Sequence, residues 1–106
     1  MDDLDSQCWF VLAEDETGNP IGTGRLLPTG KIGRMAVLKE YRAQGVGSAI
    51  LKALMDIAKS NSIDDMYLHG QTHAKAFYNK YGFIVVGPEF DESGIPHYKM
   101  RYSPQS

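Results

Sequence analysis

Apolar and polar residues change rhythm along the chain, and the changes mark its elements. Residues 8–13 read as a strand, and residues 15–20 hold Thr-Gly-Asn-Pro, a turn signal. Residues 21–27 read as a second strand loosened by Gly22 and Gly24. Pro28-Thr29-Gly30 turns the chain again, and residues 31–38 form a third strand. From about residue 44 to residue 60 the period becomes helical: Val46, Ile50, Ala53, Leu54 and Ile57 share one face, while Lys52, Asp56 and Lys59 point out. Residues 65–69 alternate as a fourth strand, with Met66 and Leu68 against Tyr67 and His69. A second helix is predicted over residues 73–81, with Thr72 as cap, Ala74, Phe77, Tyr78 and Tyr81 on one face, and Gly82 at its exit. Residues 83–86 form another strand, 88–96 a polar loop, 97–102 a last strand and 103–106 a frayed tail.

The order β-β-β-α-β-α-β-β is an α+β fold with a mixed, mostly antiparallel sheet and two main helices; the strand–helix–strand passage supplies the parallel part. At 106 residues the chain is read as a single domain, residues 1–106. Hydrophobic residues make up 42% of it, enough for a modest core. No run approaches the roughly 20 apolar residues of a membrane span, and no secretory signal opens the chain. One cysteine, Cys8, is read as a small buried strand residue. The cytoplasm follows as the default compartment.

Net charge is −2, which argues against a nucleic-acid partner. The acids cluster at the front (Asp2, Asp3, Asp5, Glu14, Asp15, Glu16), whereas residues 31–59 carry six bases against Glu40 and Asp56. The stretch Arg42-Ala43-Gln44-Gly45-Val46-Gly47 lies in that basic part, between a strand and a helix. The first amides of a helix lack internal partners and its dipole favours anions. Glycine lets the backbone approach a diphosphate. The stretch is therefore a candidate cradle for a pyrophosphate-bearing co-substrate. A dinucleotide fingerprint is excluded, because Ile50 stands where its third glycine would fall.

Arg42-x-x-Gly45-x-Gly47 resembles the acetyl-CoA pyrophosphate motif of GNAT-type N-acetyltransferases. Residues 74–83, Ala-Lys-Ala-Phe-Tyr-Asn-Lys-Tyr-Gly-Phe, resemble the second signature of that superfamily, and Gly94-Ile95-Pro96-His97-x-x-Met100-Arg101 is similar to its ElaA-like branch. The resemblance implies a GNAT-like fold whose third and fourth strands splay to admit acetyl-CoA. Met35, Ala36 and Val37 would follow the pantetheine arm, and Gln44, Gly45, Val46, Gly47 and Ser48 would hold the pyrophosphate. Arg42 would shape the loop or reach a phosphate, and a backbone amide near Ala36 or Val37 would polarise the thioester carbonyl. Gln71, where the family often has Asn, joins Ala74 and Phe77 as a cofactor contact.

Tyr78 matches the family's general-acid tyrosine, although its place beside Ala74 and Phe77 is also that of a core residue. The third strand carries no carboxylate, so the base is sought elsewhere. His69 is the first candidate, with Glu92 or His97 beside the last hairpin as alternatives. His73 is read as structural or cofactor-side, and Lys75, Asn79 and Lys80 as exposed. Trp9 is read as core or interface.

The implied activity is transfer of acetyl from acetyl-CoA to a primary amine of a small molecule or peptide. A non-catalytic CoA-binding or oligomeric interaction module is the alternative. Members of the superfamily usually begin with a strand and two helices that wall the acceptor site, and the chain is expected to lack them. A homodimer would cover the face this leaves open. No membrane partner and no metal are expected.

Overall fold

The computed structural model describes residues 8–103. The acids at positions 2, 3 and 5, and residues 104–106 of the expected tail, lie outside the described residues. Contacts divide the chain into two compact units, one through Asp64 and one from Asp65 onward.

The first unit is an antiparallel meander of β1 (Trp9–Glu14), β2 (Pro20–Leu26) and β3 (Lys31–Val37), packed on helix α1 (Val46–Ser60). The two glycines of β2 set this packing. A Cβ on Gly24 would fall 2.7 Å from Ile50 Cγ2 and 2.9 Å from Leu54 Cδ1, and one on Gly22 would fall 2.9 Å from Ile50 Cδ1. These glycines admit the helix onto the strand rather than merely loosening it.

Ile50, Leu51, Leu54, Met55 and Ala58 form the buried stripe of α1, while Val46, Ala53 and Ile57 are only half-buried. The stripe is turned and widened relative to the predicted face because α1 touches all three strands. Each fully buried Leu or Ile contributes roughly 1.5–3 kcal/mol.

Register shifts by one residue between β2 and β3: Thr23 faces Ala36 but Arg25 faces Gly33. The extra residue lies in β3, where Arg34 adopts φ 51°, as a β-bulge requires. Cys8 is half-buried just ahead of β1.

The second unit contains β4 (Tyr67–Gln71), α2 (Lys75–Lys80), β5 (Phe83–Val85), β6 (Phe90–Glu92) and β7 (Ile95–Tyr102). β7 is its organising strand, pairing antiparallel with β4, β5 and β6. The stretch expected as a polar loop thus contains a strand. Its turn explains why: Glu92 faces Ile95, and Ser93 and Gly94 both have positive φ (55° and 78°), the signature of a two-residue hairpin turn.

The second helix is shorter than predicted. Residues Thr72–Ala74 form a 3-10 turn and the α-helix starts at Lys75. Thr72 does not cap it; its hydroxyl donates instead to Glu89 Oε2 at 2.7 Å. Gly82, at φ 94°, ends the segment as expected. Met66, Leu68, Phe83 and Met100 are the buried core of this unit.

Candidate active site

In the first unit the chain leaves β3 through a 3-10 turn at Lys39–Tyr41 and enters α1 through Gly45. Helix α1 therefore begins at Val46, later than the expected start at Gln44, whose side-chain amide instead donates to the Glu40 carbonyl at 2.9 Å. Gly45 is left-handed, at φ 83°, and the first intrahelical bond runs from Ala49 N–H to its carbonyl at 3.0 Å. The amides of Val46 and Gly47 come before that bond and have no intrahelical acceptor. The first turn holds no acidic residue. Arg42 shapes the loop, donating from Nε to the Val37 carbonyl at 3.2 Å.

The charge segregation of the sequence does not survive folding. A cleft of about 450 Å³ beside Gln44 and Val46 is lined by Glu14, Asp15 and Glu16. These carboxylates disfavour an anion in the cleft, which leaves the Gly45–Gly47 backbone as the anion-compatible part of the loop. Asp15 is tied into the β1–β2 turn. Its carboxylate accepts from the backbone amides of Thr17 and Asn19, at 2.9 and 3.0 Å, and from the Thr17 hydroxyl at 2.8 Å.

Along β3, Leu38 N–H donates to Ile21 C=O at 2.8 Å, and Ala36 faces Thr23 in the same register. Alternation then turns the Ala36 amide toward β2 and the Val37 amide away from it. Of the two amides expected to polarise a carbonyl, only that of Val37 points off the β2 edge. Met35, on the same strand, is half-buried beside the bulge.

In the second unit Tyr78 lies over β4. A Cβ on Gly70 would fall 2.9 Å from its Cδ2 and Cε2. Burial pushes the Tyr78 phenol above the ordinary value of 10.0. Its ring meets Phe77 edge-on at 5.1 Å and Phe83 at 6.4 Å. Ala74 closes the 3-10 turn ahead of α2. Lys75 Nζ sits 5.8 Å from the Tyr98 ring centroid, and His73, Asn79 and Lys80 are exposed.

The three residues weighed separately as base lie together. His69 Nδ1 is 3.1 Å from Glu92 Oε1, and His97 Nε2 is 3.8 Å from Glu92 Oε2. His97, buried at 6% exposure, places Nδ1 2.8 Å from the Ile95 carbonyl. Phe90 meets His69 edge-on at 5.2 Å and stacks on His97 at 6.0 Å. Successive side chains of a strand point to opposite faces. Because Gly70 faces Tyr78, neighbouring His69 occupies the other face of β4. Gln71, paired with His97, shares the His69 side rather than that of Tyr78.

Gly70 and Phe90, which contact the candidate residues Tyr78, His69 and His97, are not singled out by the sequence. A glycine inside a strand is a signal of close approach; Phe90 gave none, embedded among acids.

A family model described as an acetyltransferase (GNAT) domain matches residues 2–104. The chain belongs to the GNAT acetyltransferase family. Bacillus subtilis YyaT is 41% identical to this GNAT domain over 102 residues, covering 93% of the chain and 68% of YyaT. The crystal structure of an acyl-CoA N-acyltransferase from Pseudomonas aeruginosa superposes with a TM-score of 0.82 at 30% identity, over 91% of this chain and 68% of that one. Escherichia coli ElaA superposes with a TM-score of 0.84 at 25% identity, over 97% of this chain and 74% of that one. In sequence ElaA is 34% identical over 70 residues, 65% of this chain and 46% of ElaA. The expected α+β acyltransferase fold and the ElaA-like branch are borne out, and the domain is a GNAT-type N-acetyltransferase.

Proposed function

We propose that residues 1–106 act as one domain that transfers acetyl from acetyl-CoA to a primary amine of a small molecule or peptide. The observation that carries this reading is the placing of a proton donor and a proton acceptor on opposite faces of β4. Tyr78 is a phenol held in its protonated form, while His69 has its Nδ1 directed at a carboxylate. A carboxylate can only accept, so neutral His69 carries its proton on Nδ1 and keeps a lone pair on Nε2.

In this reaction His69 Nε2 takes a proton from the incoming ammonium, leaving the electron pair on nitrogen. That pair attacks the thioester carbon, and charge gathers on the carbonyl oxygen as the bond forms. The carbon–sulfur bond then breaks, and the departing sulfur takes the Tyr78 proton. The nitrogen's surplus proton passes through water to restore the phenol, and the His69 imidazolium gives up its proton to solvent, which restores the base. Separate faces keep the acid from neutralising the base directly.

The diphosphate is assigned to the amides at Gln44–Ser48, where left-handed Gly45 and the acid-free first turn of α1 support it. Met35, Ala36 and Val37 line the path assigned to pantetheine, beside an apolar hollow of about 250 Å³ that includes Ala36 and Val37. Ala74 and Phe77 are assigned to the cofactor on the Tyr78 side. Gln71, on the other side, keeps a cofactor role only through its backbone.

We place the enzyme in the cytoplasm as a homodimer. The dimer is supported by Phe10 and Leu12, which are 63% and 59% exposed on one face of β1. No described helix is long and apolar enough to cross a membrane.

The test is CoA release, followed by thiol trapping, across a panel of amines, with thermal stabilisation by acetyl-CoA and by CoA measured alongside. Amine-dependent release that falls in Tyr78→Phe supports the reading. Stabilisation by acetyl-CoA with no turnover for any amine would replace it with a CoA-binding module. A sizing column reports the oligomer.

A further inference from the structure

We infer that Glu92 is a positioning residue for His69, so that Glu92 and His97 belong to one proton-handling unit rather than being rival bases. This rests on the acetyltransferase reading for its role in turnover, but not for its geometry.

His97 Nδ1 faces the Ile95 carbonyl at 2.8 Å, and a carbonyl cannot donate, so the proton is on His97 Nδ1. Neutral His97 therefore turns the lone pair of Nε2 toward Glu92, and protonated His97 turns an N–H toward it, 3.8 Å from Oε2. The ring is nearly fully buried and stacked on Phe90, so it is a fixed wall behind the carboxylate. The other carboxylate oxygen, Oε1, is 3.1 Å from His69 Nδ1.

The backbone holds the carboxylate at this distance. Glu92 is the last residue of β6, and the Ser93–Gly94 turn locks it opposite Ile95. Phe90, two residues earlier on the same strand, touches both imidazoles. One short hairpin thus delivers the carboxylate and the apolar clamp together.

Left to water, a neutral imidazole carries its proton on either nitrogen. Here the carboxylate selects Nδ1–H and keeps Nε2 as the acceptor. Glu92 itself gains no proton and touches no substrate. Lys99, the cross-strand neighbour of His69, does not compete for the carboxylate, since its Nζ lies 5.0 Å from the Tyr67 ring centroid.

The experiment compares the parent domain with Glu92→Ala and Glu92→Gln. Glu92 is exposed at the hairpin end, and melting curves identify any variant that does not fold. Two readouts are taken. The first is the imidazole ¹⁵N spectrum of neutral His69, which needs no turnover. Expected are Nδ1–H in the parent, Nε2–H as the main form in Glu92→Ala, and partial return of Nδ1–H in Glu92→Gln, whose amide oxygen can accept. The second is steady-state kinetics. In Glu92→Ala, kcat should fall at least about tenfold with the KM for acetyl-CoA unchanged, and Glu92→Gln should recover part of the loss.

Retention of Nδ1–H in Glu92→Ala would overturn the inference, and so would a kcat within about twofold of the parent. A parent that turns over no amine would defeat the acetyltransferase reading instead, and the tautomer spectrum would still decide this one.

Discussion

Tyr78 occupies the space that a side chain at residue 70 would need: a Cβ on Gly70 would lie 2.9 Å from two of its ring carbons and 3.2 Å from Leu68 Cδ1. Glycine at 70 thus allows the phenol to approach the β4 backbone. Gly70→Ala must push the ring or the strand aside, at a cost of about 1–3 kcal/mol. We expect a lower melting temperature and a fall in kcat together. An alanine variant that keeps the parental kcat would show that the close approach has no part in turnover.

Tyr78→Phe removes the hydroxyl and leaves the aromatic contacts with Phe77 and Phe83. It should lower kcat by about 10²-fold or more while barely moving the melting temperature. Burial raises the folded-state value above 10.0, so the native state holds this proton more tightly than the unfolded chain does. The associated stability is fully present below pH 10, and it is lost as the pH rises through the folded value. Alkaline denaturation curves should therefore be flatter for Tyr78→Phe than for the parent. Equal slopes would mean that the phenol is not held protonated.

Much of the candidate site was legible because its parts are local. Gly45 and Gly47 sit at a strand–helix junction, and Tyr78 sits within one helical turn of Phe77 and Ala74. What could not be read is what depends on register. His69 and Glu92 are 23 positions apart and meet only because β6 and β4 both pair with β7. The strand that brings Glu92 there, Phe-Asp-Glu, has too few apolar residues to alternate visibly, and its hairpin is specified by Ser93-Gly94. The opposing faces of His69 and Tyr78 were implicit in the alternation of β4, but only the contact with Gly70 shows on which face α2 packs. Likewise the acids of the β1–β2 turn and the basic loop are remote in sequence but adjacent in the first unit.

Gly45 and Gly47 should separate folding from binding. Gly45 is left-handed, so Gly45→Ala strains the backbone by roughly 1–2 kcal/mol and should lower the melting temperature. Gly47 lies inside α1, and a Cβ there would meet only Val37 Cγ2, at 3.9 Å. Gly47→Ala should therefore leave stability unchanged or raise it by up to about 1 kcal/mol, since alanine favours a helix. If a diphosphate rests on this backbone, the same variant should raise the KM for acetyl-CoA severalfold. Unchanged KM with unchanged stability would move the diphosphate elsewhere.

Asp15 gives a stability test independent of chemistry. The backbone amide of Asn19 and the hydroxyl of Thr17 are the main causes that lower it from 3.8 to about 2. Its folded value is depressed, so the native state binds this proton less readily than the unfolded chain. The stabilisation is present above the unfolded value near 4, and it is lost as the pH falls through about 2. Asp15→Asn keeps the shape but loses the charge and one acceptor, which weakens the β1–β2 turn and its contact with the Tyr41 hydroxyl at 3.3 Å. Thermal melts should show the variant less stable than the parent at pH 7, with the gap closing between pH 4 and pH 2. A gap that persists undiminished at pH 2 would assign the effect to shape rather than to the carboxylate's charge.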